Sequence, residues 1–163
     1  MNIKRTSDLL INFAIKRLAE ILGITVVITG LALLLALTSY SPEDPNFIFP
    51  DSTKIKNLLG FNGSFISDLF FQSIGLIAYL LSFTFIITGF NIFKGKEFFL
   101  IIENLFFGIL YSVFGTLFLT HFYSKDFTLY INGNGGFVGN YLDQTFLNSL
   151  IKINENISYY ILI

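Results

Sequence analysis

The chain has 163 residues, 53% of them hydrophobic and 13% charged, with a formal net charge of −1. Soluble domains carry about 25% charged residues, so the composition points to a membrane protein, and the near-neutral balance gives no reason to expect nucleic-acid binding, which needs a basic face. The absence of Cys excludes disulfides and thiolate metal sites, and the absence of Trp leaves any interfacial aromatic belt to Tyr and to the 21 Phe.

Residues 1–17 carry Lys4, Arg5, Lys16 and Arg17 against Asp8. Leu9, Leu10, Phe13 and Leu18 recur at helical spacing, and Ser7 or Asp8 can cap the start. This predicts a basic amphipathic helix on the cytoplasmic membrane surface, drawn to anionic headgroups. A plain basic flank that only sets topology is the other reading. The first span follows at about 18–40. No charge falls between Glu20 and Glu43, and residues 21–37 are almost wholly apolar, close to the ~20 residues a helix needs to cross a bilayer. A cleaved signal peptide is the rival reading, but its apolar core runs to about 15 residues, and further spans follow.

Residues 41–73 form an expected outer loop. The stretch that leads into it from Ser39, SYSPEDPNF, contains Pro42 and Pro45, which stop a helix. Asn57, Gly60, Asn62 and Gly63 supply turns. A run-in helix from Ser64 through Asp68, capped by Asn62 or Ser64, leads to a second span at about 74–93. Asp68 is placed near that helix's N-terminus, where a carboxylate favours the macrodipole.

The tight basic turn KGKE, Lys94 to Glu97, joins span two to span three, about 98–122. Glu103 lies inside the third span, about 7 Å from its start at 1.5 Å per residue, shallow enough to snorkel. Gly108, Ser112 and Thr116 fall four apart with Gly115 beside them, a small-residue stripe suited to close helix packing within or between chains. Residues 123–156 read as a second, polar and turn-rich outer loop. The last seven, 157–163, are too few to cross a bilayer; they end at the surface or begin a fourth span. Basic residues favour the cytoplasmic side, which puts the N-terminus and KGKE inside and both long loops outside.

The expected fold is therefore an all-α integral membrane protein. It is a helical bundle of three full transmembrane helices plus a truncated fourth, one domain over 18–163 behind the N-terminal amphipathic segment 1–17. Nothing in it suggests an enzyme. His121 stands alone, with no second His or Cys for a metal site. The cluster Gly133, Gly135, Gly136, Gly139 fails the nucleotide-binding GxGxxG spacing, because Val138 occupies the last glycine position. Gly95-Lys96 is followed by Glu97, so no P-loop is present. No catalytic, cofactor or metal residue is assigned.

The order of the pieces resembles the N-terminal four-helix membrane domain of FtsK-type bacterial DNA translocases. The residues that carry the likeness are Ser39, Tyr40, Pro42, Asp44 and Pro45 at the exit of span one. Next come Asn57, Gly60, Gly63, Asp68, Gly75, Ala78 and Tyr79 in the approach to span two, then the basic turn, then Gly135, Gly136 and Gly139. Span three matches only in hydrophobicity. In that family the membrane domain anchors a hexameric ATP-driven DNA motor at the division septum and joins the division machinery. The resemblance therefore implies a multi-pass inner-membrane protein whose partners are lipid, division-machinery membrane proteins and, through self-association, copies of itself. It implies no ATPase activity or DNA binding in these residues, which lack the motor. A small transport or channel subunit using Glu103 and Asp68 is the alternative from another class, and a non-functional gene fragment is a third.

Overall fold

The structure is a computed structural model that describes residues 3–45, 54–95, 98–123, 132–151 and 160. Helix α1 runs Ile3–Thr38, 36 residues without a break. The expected surface helix over 1–17 is thus not a separate element. Nothing between Lys16 and Thr25 stops a helix, and Leu9, Leu10 and Phe13 are exposed, with no other element to pack against. The end of α1 is where Pro42 and Pro45 would put it. Beyond Thr38, Ser39 N–H still reaches Leu35 C=O at 3.1 Å, and the turn then tightens through Tyr40 N–H to Leu37 C=O at 3.4 Å.

The approach to span two differs most from expectation. Helix α2 spans Gly60–Ile74 and α3 spans Ile77–Phe93, and the two meet at 114°. Most of the expected loop after residue 59 is therefore a full helix, and the second span begins at Ile77 rather than 74. Neither Asn62 nor Ser64 caps α2; its N-cap is Leu59, which makes no side-chain capping bond. Asp68 lies in the middle of α2, so the macrodipole role does not apply. The bend is made at Gly75, whose φ of 60° is costly for any residue with a Cβ.

Helix α4, Phe98–Tyr123, follows the predicted third span closely, because charges and turn residues bound it at both ends. Among the described residues, α1 and α4 are each long and apolar enough to cross a membrane, and the bent α2–α3 pair makes a third candidate. At 17 residues α3 is about 25 Å long, a little short of a ~30 Å hydrocarbon core.

The described residues of the region expected as a second outer loop are largely helical. Helix α5, Gly136–Leu142, passes through a π-helical turn, Asp143–Leu147, into α6, Asn148–Ile151. The glycines read as turn chemistry, but Phe137, Val138, Tyr141 and Leu142 already repeat at helical spacing. Of the terminal piece 157–163 only Tyr160 is described, and Lys96 and Glu97 of the basic turn also lie outside the described residues.

Helix α3 is central. It packs antiparallel on α1, and α4 packs antiparallel on its other side. The buried cluster Leu33, Leu37, Phe71 and Ala78 forms where α1, α2 and α3 meet. On the α1 side the backbones touch. A Cβ on Gly89 would lie 2.6 Å from Val27 N, and one on Gly23 would lie 2.5 Å from Phe93 N. On the α4 side the contact is made by side chains: the Thr84 and Tyr111 hydroxyls are 2.7 Å apart, and Asn104 Nδ2 donates to Thr88 Oγ1 at 3.3 Å.

Candidate functional site: the polar cap

A helix leaves its last four carbonyls without intrahelical partners. In or near lipid those groups cost several kcal/mol each if left bare. The end of the bundle where α1 stops and α3 starts meets this with side chains. Asn57, 5% exposed, donates from Nδ2 to Ala36 C=O at 2.9 Å, and its Oδ1 accepts Leu59 N–H at 3.0 Å. Tyr79 O–H donates to Leu37 C=O at 3.1 Å. Asn134 Nδ2 donates to Tyr123 C=O, the last of α4, at 2.7 Å.

Around these caps the loop after α1 is tied down. The Asp44 carboxylate, 3% exposed, accepts Lys56 N–H at 2.9 Å and Asn57 N–H at 2.8 Å, closing the intervening loop at its base. Ser39 Oγ accepts Leu58 N–H, and Ser64 O–H donates to Pro45 C=O. Tyr40 O–H donates to Asp68 Oδ1 at 3.1 Å. The Tyr40 and Phe71 rings stand edge to face at 4.9 Å, with Tyr79 on the far side of Phe71 at 5.5 Å. Outside this buried network the Lys56 ammonium donates to Glu43. That bond and the attraction of the charges hold the Glu43 carboxyl below its ordinary value and the Lys56 ammonium above its own.

The second half of the cap is a joint between the α2–α3 bend and the start of α5. Leu76 N–H, freed by the bend, donates to Asn134 C=O at 2.9 Å. A Cβ on Gly136 would sit 2.6 Å from the Ser73 carbonyl. Asn132 Nδ2 donates to the Gln72 backbone and side-chain oxygens, and Asn140 Nδ2 donates to Asn132 C=O. Gly135 and Gly139 pack against Thr116 and Thr120 of α4, with no room for a Cβ on either. The glycine cluster that fails as a nucleotide loop is thus a G-x-x-x-G face on a T-x-x-x-T face, a spacing readable from the sequence. Near it His121 Nδ1 lies 3.0 Å from Asp143 Oδ1, joining α4 to the π turn.

The structure brings together Ser39, Tyr40, Asp44, Asn57, Gly63, Asp68, Ala78 and Tyr79 in one half of the cap. Gly75, Gly135, Gly136 and Gly139 fall in or beside the joint. Pro42 and Pro45 lie in the loop between α1 and Asn57, and Gly60 opens α2 with nothing within reach of a Cβ. The stripe on α4 divides three ways. Thr116 meets α5, Gly115 meets Ile77 of α3, and Gly108 and Ser112 line a crevice. Glu103 is exposed on α4, five residues from its start and so toward the end away from the cap, whereas Asp68 is buried in α2. Gln72, Asn132 and Asn134 were not anticipated. Their roles depend on partners up to 60 residues away, and no local pattern marks them.

What the cap offers is rigid geometry rather than reactivity. Among the described residues no group of three His, Cys, Asp or Glu could hold a metal ion.

Residues 15–163 match the sequence profile of the 4TM region of DNA translocase FtsK/SpoIIIE. The chain is 38% identical over 72 residues to DNA translocase FtsK of Azospirillum brasilense, 43% of this chain and 11% of that protein. It is 30% identical over 77 residues to that of Rickettsia prowazekii, 47% of this chain and 10% of the relative. Against Caulobacter vibrioides the figures are 35% over 71 residues, 44% and 9%. The aligned stretch thus spans about a tenth of these relatives, and it falls in their membrane region rather than in a motor. No solved structure matches.

Proposed function

The chain belongs to the family of the 4TM region of DNA translocase FtsK/SpoIIIE, and from that premise we propose that it is the membrane-anchoring region of such a translocase. In this reading it tethers the protein at the division septum during chromosome segregation and performs no catalysis itself. The N-terminus and the Lys94 turn face the cytoplasm of a bacterial inner membrane, the polar cap faces out, and the cap meets membrane proteins of the division machinery. Self-association through the spans belongs to the same proposal.

The observation that carries the reading is the family match over nearly the whole chain. The cap supports it, because most of the residues that carry the resemblance, Tyr40, Asp44, Asn57, Asp68 and Tyr79 among them, help fix its shape. A rigid surface of defined geometry suits a docking role. The transport alternative needs acids that act together near mid-membrane. Asp68 is held by Tyr40 in the cap, and Glu103 faces out from α4 near its other end.

A fluorescent fusion of the chain in dividing bacteria tests the assignment. We expect a band at midcell, reduced to even membrane labelling by the paired changes Asp44→Ala and Asn57→Ala. Even labelling by the unaltered chain would remove the septal role.

A further inference from the structure

We propose that the crevice between α3 and α4, beneath α2, holds one hydrocarbon chain of a membrane lipid. Its volume is about 560 Å³. Leu81, Leu105 and Ile109 wall it, and Phe70 and Ile74 of α2 with Val138 of α5 close the end nearest the cap.

The lining asks for hydrocarbon. Thr84 O–H donates to Leu80 C=O and meets Tyr111, Asn104 donates to Thr88, and Ser112 O–H donates to Gly108 C=O. These polar groups are already engaged within and between α3 and α4, so they do not call for a polar ligand or an ion. Left empty, a void of this size forfeits the dispersion contacts of all its walls.

Shape decides between hydrocarbon and protein. The crevice follows α4 from Asn104 to Val113, about 13 Å. Phe70 and Ile74 of α2 and Val138 of α5 line its cap end, across the path of a spanning helix. A single acyl chain is much thinner, and one leaflet's hydrocarbon, about 15 Å deep, matches the length. At the mouth Leu105 is 51% and Ile109 69% exposed, beside the exposed Phe106 of a helix long and apolar enough to cross a membrane.

The full chain in phospholipid vesicles, doped with a phospholipid bearing a photoreactive diazirine at mid-chain, tests this. We expect cross-links concentrated on Leu81, Leu105 and Ile109 over Phe106 and Phe114, which are exposed on α4 outside the crevice. Gly108→Leu fills the crevice without crowding backbone, since a Cβ there meets nothing closer than Thr84 Cγ2 at 3.8 Å. It should lower crevice labelling several-fold and leave Phe106 labelling unchanged. Equal labelling of crevice and open face in the unaltered chain overturns the proposal, and that comparison needs no variant to fold. So does efficient disulfide cross-linking of Leu105→Cys to a second copy, which would put protein in the crevice instead.

Discussion

Helix α3 is held on its two sides by different means. Against α1 it has given up side chains, so that Gly89 and Gly23 bring two backbones into direct contact. Against α4 it keeps its side chains and bridges a gap with hydroxyls and an amide. The first contact draws on close van der Waals approach along a continuous line, as small residues permit between membrane helices. The second rests on a few hydrogen bonds, each worth on average about 0.6 kcal/mol between membrane helices, and it leaves the crevice open at Gly108. One face of α3 is fixed and the other can adjust.

Substitutions measure that contrast. Gly89→Leu drives a branched side chain into the Val27 amide, where no rotamer escapes backbone. We expect a loss of about 3 kcal/mol or more, read as loss of cooperative unfolding in detergent. Tyr111→Phe removes one hydroxyl bridge and should cost about 1 kcal/mol in the same assay. Gly108→Ala fits the open space and restricts the unfolded chain, so it should stabilise by about 0.5 kcal/mol. If it destabilised as Gly89→Leu does, the two faces of α3 would not differ.

The smallest effect lies off both contacts, at the Glu43–Lys56 pair. Glu43 is held below its ordinary 4.5, so the pair's contribution is complete above that pH and is lost as pH falls through the lowered value. Lys56 is held above its ordinary 10.5, so the contribution is lost again as pH rises through the raised value. Both groups are fully exposed and solvent-screened. The difference in melting temperature between the unaltered chain and Glu43→Gln should therefore be slight, present between those limits and absent in acid. A difference that persisted in acid would show that Glu43 acts through packing rather than charge.

Much of this was legible in the residues, for reasons that differ by region. The third span could be bounded almost to the residue because charged and turn residues flank an unbroken apolar run. The bend at Gly75 could not, because the apolar run through α2 and α3 continues across it. What makes the corner is an amide–carbonyl bond to Asn134, far along the chain. Asp68 was misplaced for the same reason: an acid near an expected start reads as a dipole partner until the helix proves to begin at Gly60. The glycine cluster is visible in the sequence as failed phosphate-loop spacing and as part of the family resemblance, and the four-residue spacing of Gly135 and Gly139 also fits helix packing. The cap's motif residues were found through resemblance, while the amides that complete it have no local signature.

The joint between Gly75 and Gly136 has a mechanical consequence. The two segments meet through main-chain atoms, so no side chain can swing aside to let the connection stretch. Parting them would strip Leu76 N–H and Asn134 C=O of their partners together. A pull on the chain beyond Ile151 is therefore passed through α5 into α3, and from α3 across the glycine contact into α1. A bundle built this way shares a load among its helices instead of unravelling from one end.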